Sequence, residues 1–162
     1  MPGTNLPFIE KTKLFKAIFL VTIVPTMVIL SVLLVSSIIH GDVGGMILGS
    51  LFLLVLAGLL IVLLNHVLTV RIDESGIAFS YRPYFRKEKK YAWTEIAAAE
   101  PVTYHPVRDF NGWGLKKSPT YGQGYTTIGD KGLAVSLTNG EKFLVTLVDT
   151  EAAREALARF RS

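Results

Sequence analysis

The 162-residue chain contains no cysteine, so disulfides, thiolate metal sites and cysteine nucleophiles are excluded. Its three histidines, His40, His66 and His105, lie far apart, and none falls in an H-E-x-x-H or similar ligand spacing. No metal or other cofactor is expected. Charge is also scarce over a long stretch. Between Phe15 and Leu68 only Lys16 and Asp42 are formally charged, whereas residues 69–162 carry 25 charged side chains. Such a partition implies two solvents, lipid for the first part and water for the second.

Within the charge-poor region, residues 15–39 and 46–68 form apolar runs of 25 and 23 residues. A helix rises about 1.5 Å per residue, so about 20 residues cross a hydrocarbon core of roughly 30 Å. The connection "HGDVGG" has room only for a tight turn. The pair is therefore read as a transmembrane helical hairpin with both outer ends on one side of the bilayer. A cleaved signal peptide would be shorter and would end in a small-residue cleavage site before a soluble region. Two such runs, with Lys16 at the edge of the first their single charge, also argue in so short a chain against a soluble buried hairpin. Pro25 removes one backbone donor from the first helix, so a bend is expected there, with Thr22 and Thr26 near the freed carbonyl. Gly49 and Gly58, with Ser50, permit close helix contact without forming G-x-x-x-G, which leaves a homo-oligomer open. Lys11, Lys13 and Lys16 precede the hairpin, and Arg71, Arg82, Arg86, Lys87, Lys89 and Lys90 follow it. The turn has no Lys or Arg, so the positive-inside rule places both termini in the cytoplasm. The expected organisation is a cytoplasmic segment 1–14, the hairpin 15–68, and a cytoplasmic domain 69–162.

After Leu68 the apolar period changes from helical to two. Leu68, Val70 and Ile72 alternate with polar residues up to "DESG", and Ile77, Phe79 and Tyr81 alternate after it, which reads as a β-hairpin. A short strand follows at Lys89–Ala92, then a turn at Trp93-Thr94-Glu95-Ile96 and a strand toward Tyr104. The alanines of "EIAAAEP" favour helix by propensity, but the flanking Pro101 and Pro106 and the β-rich context point to strand. Leu133, Val135 and Leu137 alternate, Asn139-Gly140 supplies a tight turn, and Phe143, Val145 and Leu147 alternate back. The ending "DTEAAREALARFRS" is read as a helix capped by Asp149 or Thr150, with Ala153, Ala156, Leu157 and Phe160 on one stripe. About seven short strands and a terminal amphipathic helix predict a strongly bent antiparallel sheet, or barrel, closed by that helix.

The stretches "RIDESGI" (71–77), "WTEI" (93–96), "GWGL" (112–115) and "GLAVSL" (132–137) with "NG" after it, together with the acidic-started final helix, carry a family likeness. In this order they resemble the bacterial pleckstrin-homology-like (PH-like) domains of small membrane proteins. The likeness spans residues 68–160, and two preceding membrane helices match an architecture common in that group. It implies a membrane-anchored α+β protein of the bacterial inner membrane with no catalytic residues to carry over. Partners in that group range from lipid headgroups to peptides and other proteins.

Six of the fourteen glycines fall between residues 111 and 132, around "GLKKS". A P-loop needs G-x-x-x-x-G-K-[ST] between a strand and a helix, and here Pro119 follows Ser118 at once, so turn and bulge chemistry is the better reading. Trp113, Tyr121 and Tyr125 are a candidate aromatic interaction surface. The segment "RPYFRKEKK", residues 82–90, sets Arg82, Arg86, Lys87, Lys89 and Lys90 against a single Glu88, and these five are candidate contacts for anionic phospholipid. Nucleic-acid binding would need an extended basic face or a binding motif, and none is present. Asp73, Glu74, Glu95, His105 and Asp109 do not assemble with a nucleophile, so an enzyme is not expected. The sequence points to a non-catalytic membrane protein whose domain docks a protein partner at the cytoplasmic leaflet, with anionic-lipid binding through 82–90 as the alternative.

Overall fold

A computed structural model of the chain describes residues 6–13 and 17–161, with side chains described for 6–13 and 21–161. The chain divides into two units. One is the apolar hairpin up to His66. The other joins the strand preceding the hairpin to everything from Val67 onward.

In the hairpin, α1 spans Ala17–His40 and α2 spans Val43–Leu64. The expected start at Phe15, and the charge of Lys16, lie outside the described residues. The stretches Val21–His40 and Val43–Leu64 are long and apolar enough to cross a bilayer. Their large side chains, Val28, Ile29, Leu33, Leu51, Phe52 and Leu54 among them, point away from the hairpin. Pro25 is inside α1, and the Thr26 hydroxyl donates to the Thr22 carbonyl at 2.8 Å, next to the carbonyl that proline leaves free. The turn is tighter than the sequence implies, because α2 begins at Val43, not Met46. Gly45 and Gly49 therefore form a G-x-x-x-G pair inside α2. A side chain at Gly45 would collide with Ser37 and Asp42, and a Cβ at Gly49 would sit 3.3 Å from Leu34 Cδ1. These small residues let the two helices of one chain approach closely. Gly58 faces open space.

At its other end α2 stops at Leu64, four residues short of the expected Leu68. Asn65 closes the helix by donating its side-chain amide to the Ile61 carbonyl at 2.7 Å. Val67 and Leu68 instead open a strand, and Leu68 is fully buried there. The first sheet contains β1 (Phe8–Lys13), β2 (Val67–Asp73), β3 (Gly76–Arg82) and β4 (Phe85–Ala92), in that order and antiparallel throughout. The β2–β3 hairpin follows the alternation exhibited by the sequence, with Leu68, Val70 and Ile72 beside Ile77, Phe79 and Tyr81 on the core face. Its turn is tied by Asp73 Oδ1, which accepts from the Ser75 amide at 2.8 Å and the Ser75 hydroxyl at 2.5 Å. The sequence carries no strand expectation for residues 1–14. β1 forms by pairing its backbone along β2, from Phe8 opposite Ile72 to Lys13 opposite Val67.

A 3-10 turn at Trp93–Glu95 leads into the second sheet, whose order is β5 (Ile96–Thr103), β8 (Lys131–Leu137), β9 (Lys142–Thr146), β7 (Gly122–Thr126) and β6 (Gly114–Ser118). The expected single antiparallel sheet is thus two sheets, and β7 runs parallel to β9. The alanine run is strand, as its flanking prolines indicate. A short helix, α3 (Pro106–Phe110), precedes β6, and the final helix α4 is Thr150–Phe160. Asp149 caps α4 by accepting from the Ala152 amide at 2.9 Å. Ala153, Ala156 and Leu157 are buried in the main core with residues from both sheets. A second, smaller cluster holds Tyr104, Phe110 and Leu144, with Tyr121 against it.

Candidate interaction surfaces

Strand β4 carries four of the five candidate cations, and alternation along a strand sends successive side chains to opposite faces. Lys89 lies opposite Phe79 in the β3–β4 register, hence on the core side. Its Nζ donates to the Tyr125 hydroxyl at 2.8 Å and stands 5.1 Å from the ring centroids of both Phe85 and Tyr125. This amine is engaged within the domain by a hydrogen bond and two cation–π contacts. Lys90 is on the opposite face, 3.9 Å from Glu88, which also lies 3.6 Å from Arg71 Nη2. Arg71 in turn is 3.0 Å from Asp73. Burial works to raise the Asp73 pKa, but the Ser75 hydrogen bonds and the Arg71 charge outweigh it and hold the carboxyl below its ordinary value. Arg82, Arg86 and Lys87 are exposed, with no carboxylate paired to them among the described residues. The five basic residues therefore fall into three environments. As an edge strand, β4 also uses its lysines to discourage pairing with another sheet.

The three aromatic candidates also separate. Tyr125 is buried, with its ring centroid 4.7 Å from that of Phe79 and 5.7 Å from that of Phe85. Tyr121 stacks on Phe110 at 5.9 Å in the smaller core. Trp113 alone is exposed, at 44%. The next residue, Gly114, lies beside a residue of the 82–90 segment that was not among the candidate surface residues. Tyr84, 52% exposed in the β3–β4 turn, has its hydroxyl 3.8 Å from where a Cβ on Gly114 would stand. Both aromatics thus occupy one end of the domain. The signal was in the sequence: Tyr84 lies between Arg82 and Arg86, but its nearness to Trp113 depends on how the two sheets meet.

"GLKKS" is strand β6, an edge, hairpinned to β7 through a turn in which the Ser118 hydroxyl accepts from the Thr120 and Tyr121 amides, both at 3.3 Å. Gly124 faces the Phe110 ring so closely that any side chain would collide with it. The glycines of this region serve packing and turns. Among the described residues, no three of His, Asp and Glu gather to hold a metal ion. His105 and Asp109 interact only locally: Asp109 accepts from the His105 amide at 2.7 Å, a bond that lowers the carboxyl's pKa.

A groove of about 480 Å³ runs between β5 and α4, lined by Ala99, Glu100, Pro101, Leu157 and Ala158, with Arg154 and Arg161 along it. Arg161 Nη2 donates to the Ala97 carbonyl at 2.5 Å, and Arg154 is 3.5 Å from Glu151. Pro101 offers no backbone donor, and prolines within sheets are confined to such edge strands. The β5 edge is therefore poorly suited to accepting a long added strand, and the groove's apolar floor with its charged rim is the more usable surface. No protein-family model, curated protein or solved structure matches this chain.

Proposed function

We propose that this chain is a non-catalytic, membrane-anchored docking protein. Its helical hairpin crosses a bacterial inner membrane, both termini are cytoplasmic, and a PH-like domain is displayed at the cytoplasmic leaflet. The observation that carries the reading is the pairing of β1 with β2. These strands flank the hairpin in sequence, so a chain that enters and leaves the bilayer through α1 and α2 must bring both outer ends to the same side. Lysine and arginine flank the hairpin and are absent from its turn, which supports the cytoplasmic assignment.

The α4–β5 groove is the proposed partner site. Leu157, Ala158 and Pro101 would accept an apolar side chain of a protein segment, and Arg161 a neighbouring carboxylate. A photo-crosslinking residue at Ala158 tests this in intact cells. One discrete adduct that is absent from the same probe at Thr94, and lost on Arg161→Glu, supports docking; no adduct, or equal labelling at both positions, overturns it. Because the chain has no cysteine, topology is tested separately with Gly41→Cys and Asn139→Cys. An impermeant maleimide should reach the first from outside and the second only after the membrane is opened.

A further inference from the structure

We propose that one end of the first sheet, marked by Lys13, Arg82, Tyr84, Arg86 and Trp113, binds the anionic phospholipid headgroups of the bilayer. The inference rests on the membrane anchoring proposed above and is independent of the α4–β5 groove. Strand register defines this end. Lys13 and Arg82 both lie directly opposite Val67, on either side of it, so the three side chains share the face of the sheet away from the core. Val67 is where the chain returns from the hairpin: only Asn65 and His66 separate it from the end of α2. A connection of that length reaches no more than about 11 Å, comparable with the Debye length of about 8–10 Å near physiological salt. Tyr84 and Arg86 follow Arg82 around the β3–β4 turn, and Trp113 is adjacent through the close approach of Tyr84 to Gly114.

Composition and exposure fit a lipid surface rather than water alone. Two large aromatic side chains are about half exposed beside three cations that no carboxylate partners among the described residues. Tryptophan and tyrosine favour the headgroup level, where an apolar ring and a polar tip are both solvated, and arginine and lysine are drawn to anionic lipid. The sheet's opposite end lacks this combination. There Trp93 is half-buried and its Nε1 donates to the Asp73 carbonyl at 3.0 Å. Lys89 and Lys90, already committed to Tyr125 and Glu88, are not part of the surface.

The two tryptophans, one at each end, report on the surface in the full-length chain. Trp93→Phe leaves Trp113 as the sole tryptophan, and Trp113→Phe leaves Trp93. Each variant is reconstituted into nanodiscs of phosphatidylcholine with or without phosphatidylglycerol, containing a lipid with a headgroup nitroxide quencher. Trp113 should be quenched at least about twofold more than Trp93 when anionic lipid is present, and the excess should vanish in high salt or on Arg82→Glu/Arg86→Glu. Equal quenching of the two tryptophans, or quenching of Trp113 indifferent to lipid charge and to the reversals, overturns the proposal. Tyr84→Cys carrying an environment-sensitive fluorophore gives a second readout that leaves both tryptophans in place, with a blue shift of its emission expected only in anionic discs. A chain that does not enter the discs overturns the anchoring and this inference together, whereas an inserted chain without the contrast overturns this inference alone.

Discussion

The Glu10 carboxylate fastens the strand before the hairpin to the helix at the far end of the chain: Oε1 accepts from the Val148 amide at 2.7 Å and Oε2 from the Asp149 amide at 2.9 Å. The Thr12 hydroxyl adds a third bond to Oε1 at 3.0 Å. These are charge-assisted bonds at the start of α4, where a negative charge also complements the helix dipole. Glu10→Ala should therefore lower the domain's unfolding free energy by about 2 kcal/mol, and Glu10→Gln by about half as much. Urea unfolding of the detergent-solubilised chain, followed by tryptophan emission, measures this. A loss under about 0.5 kcal/mol for the alanine variant would place the latch among ordinary surface contacts.

A core prediction concerns Gly124 and Phe110. The β7 backbone passes directly over the Phe110 ring, which is only 2% exposed and is held edge-on by Tyr104 at 5.6 Å. Gly124→Ala should cost about 1–3 kcal/mol through overpacking. Adding Phe110→Leu to Gly124→Ala should recover part of the loss relative to the sum of the single changes, because the two sites share one space. Strict additivity in urea midpoints would show that the ring is not what excludes the side chain.

These two contacts mark where sequence reading stops. Strands whose alternation is fixed by local chemistry were legible: the β2–β3 hairpin with its Asp73–Ser75 turn, the β8–β9 hairpin with Asn139-Gly140, and the capped stripe of α4. β1 was not legible, because "FIEKTK" has the composition of a charged leader and becomes a strand only when β2 supplies a partner more than fifty residues later. The parallel β7–β9 pairing likewise depends on chain crossing, not on local pattern. At the candidate surfaces, the charge of 82–90 was plain, but not its division. That Lys89 lies over Tyr125 while Arg82 has no carboxylate partner among the described residues follows from strand register and from the bulge between Phe79 and Tyr81. The α4–β5 groove is built from two elements that composition does not connect.

In the hairpin, Gly45 and Gly49 are placed to be more sensitive than Gly58. Bulky side chains at either of the first two would force α1 and α2 apart, whereas a side chain at Gly58 meets nothing within 4 Å. Gly45→Leu and Gly49→Leu should each lower the thermal midpoint of the helical circular-dichroism signal in detergent, and Gly58→Leu should leave it in place. If all three behave alike, helix contact through the small residues is not what holds the pair together.

Alkaline pH gives a final test, of the buried tyrosines. Burial pushes the Tyr104 pKa up to about 12, against the pull of its 2.7 Å hydrogen bond with Thr146 Oγ1, and burial raises Tyr81 further still. In the unfolded chain both titrate near 10. The neutral phenol is the form the folded state favours, so this stabilisation is complete below about pH 10 and is lost as pH climbs toward 12. Between those limits each tyrosine should steepen the fall of unfolding free energy by about 1.4 kcal/mol per pH unit. Tyr104→Phe should cost about 1 kcal/mol at neutral pH, from the hydroxyl contact to Thr146, while removing one tyrosine's share of the alkaline slope. The two unfolding curves should therefore meet within about one pH unit above 10 and then cross, because the extra alkaline loss of wild type exceeds its initial advantage. Parallel curves for wild type and Tyr104→Phe from pH 10 to 12 would mean that the Tyr104 hydroxyl reaches solvent in the folded protein.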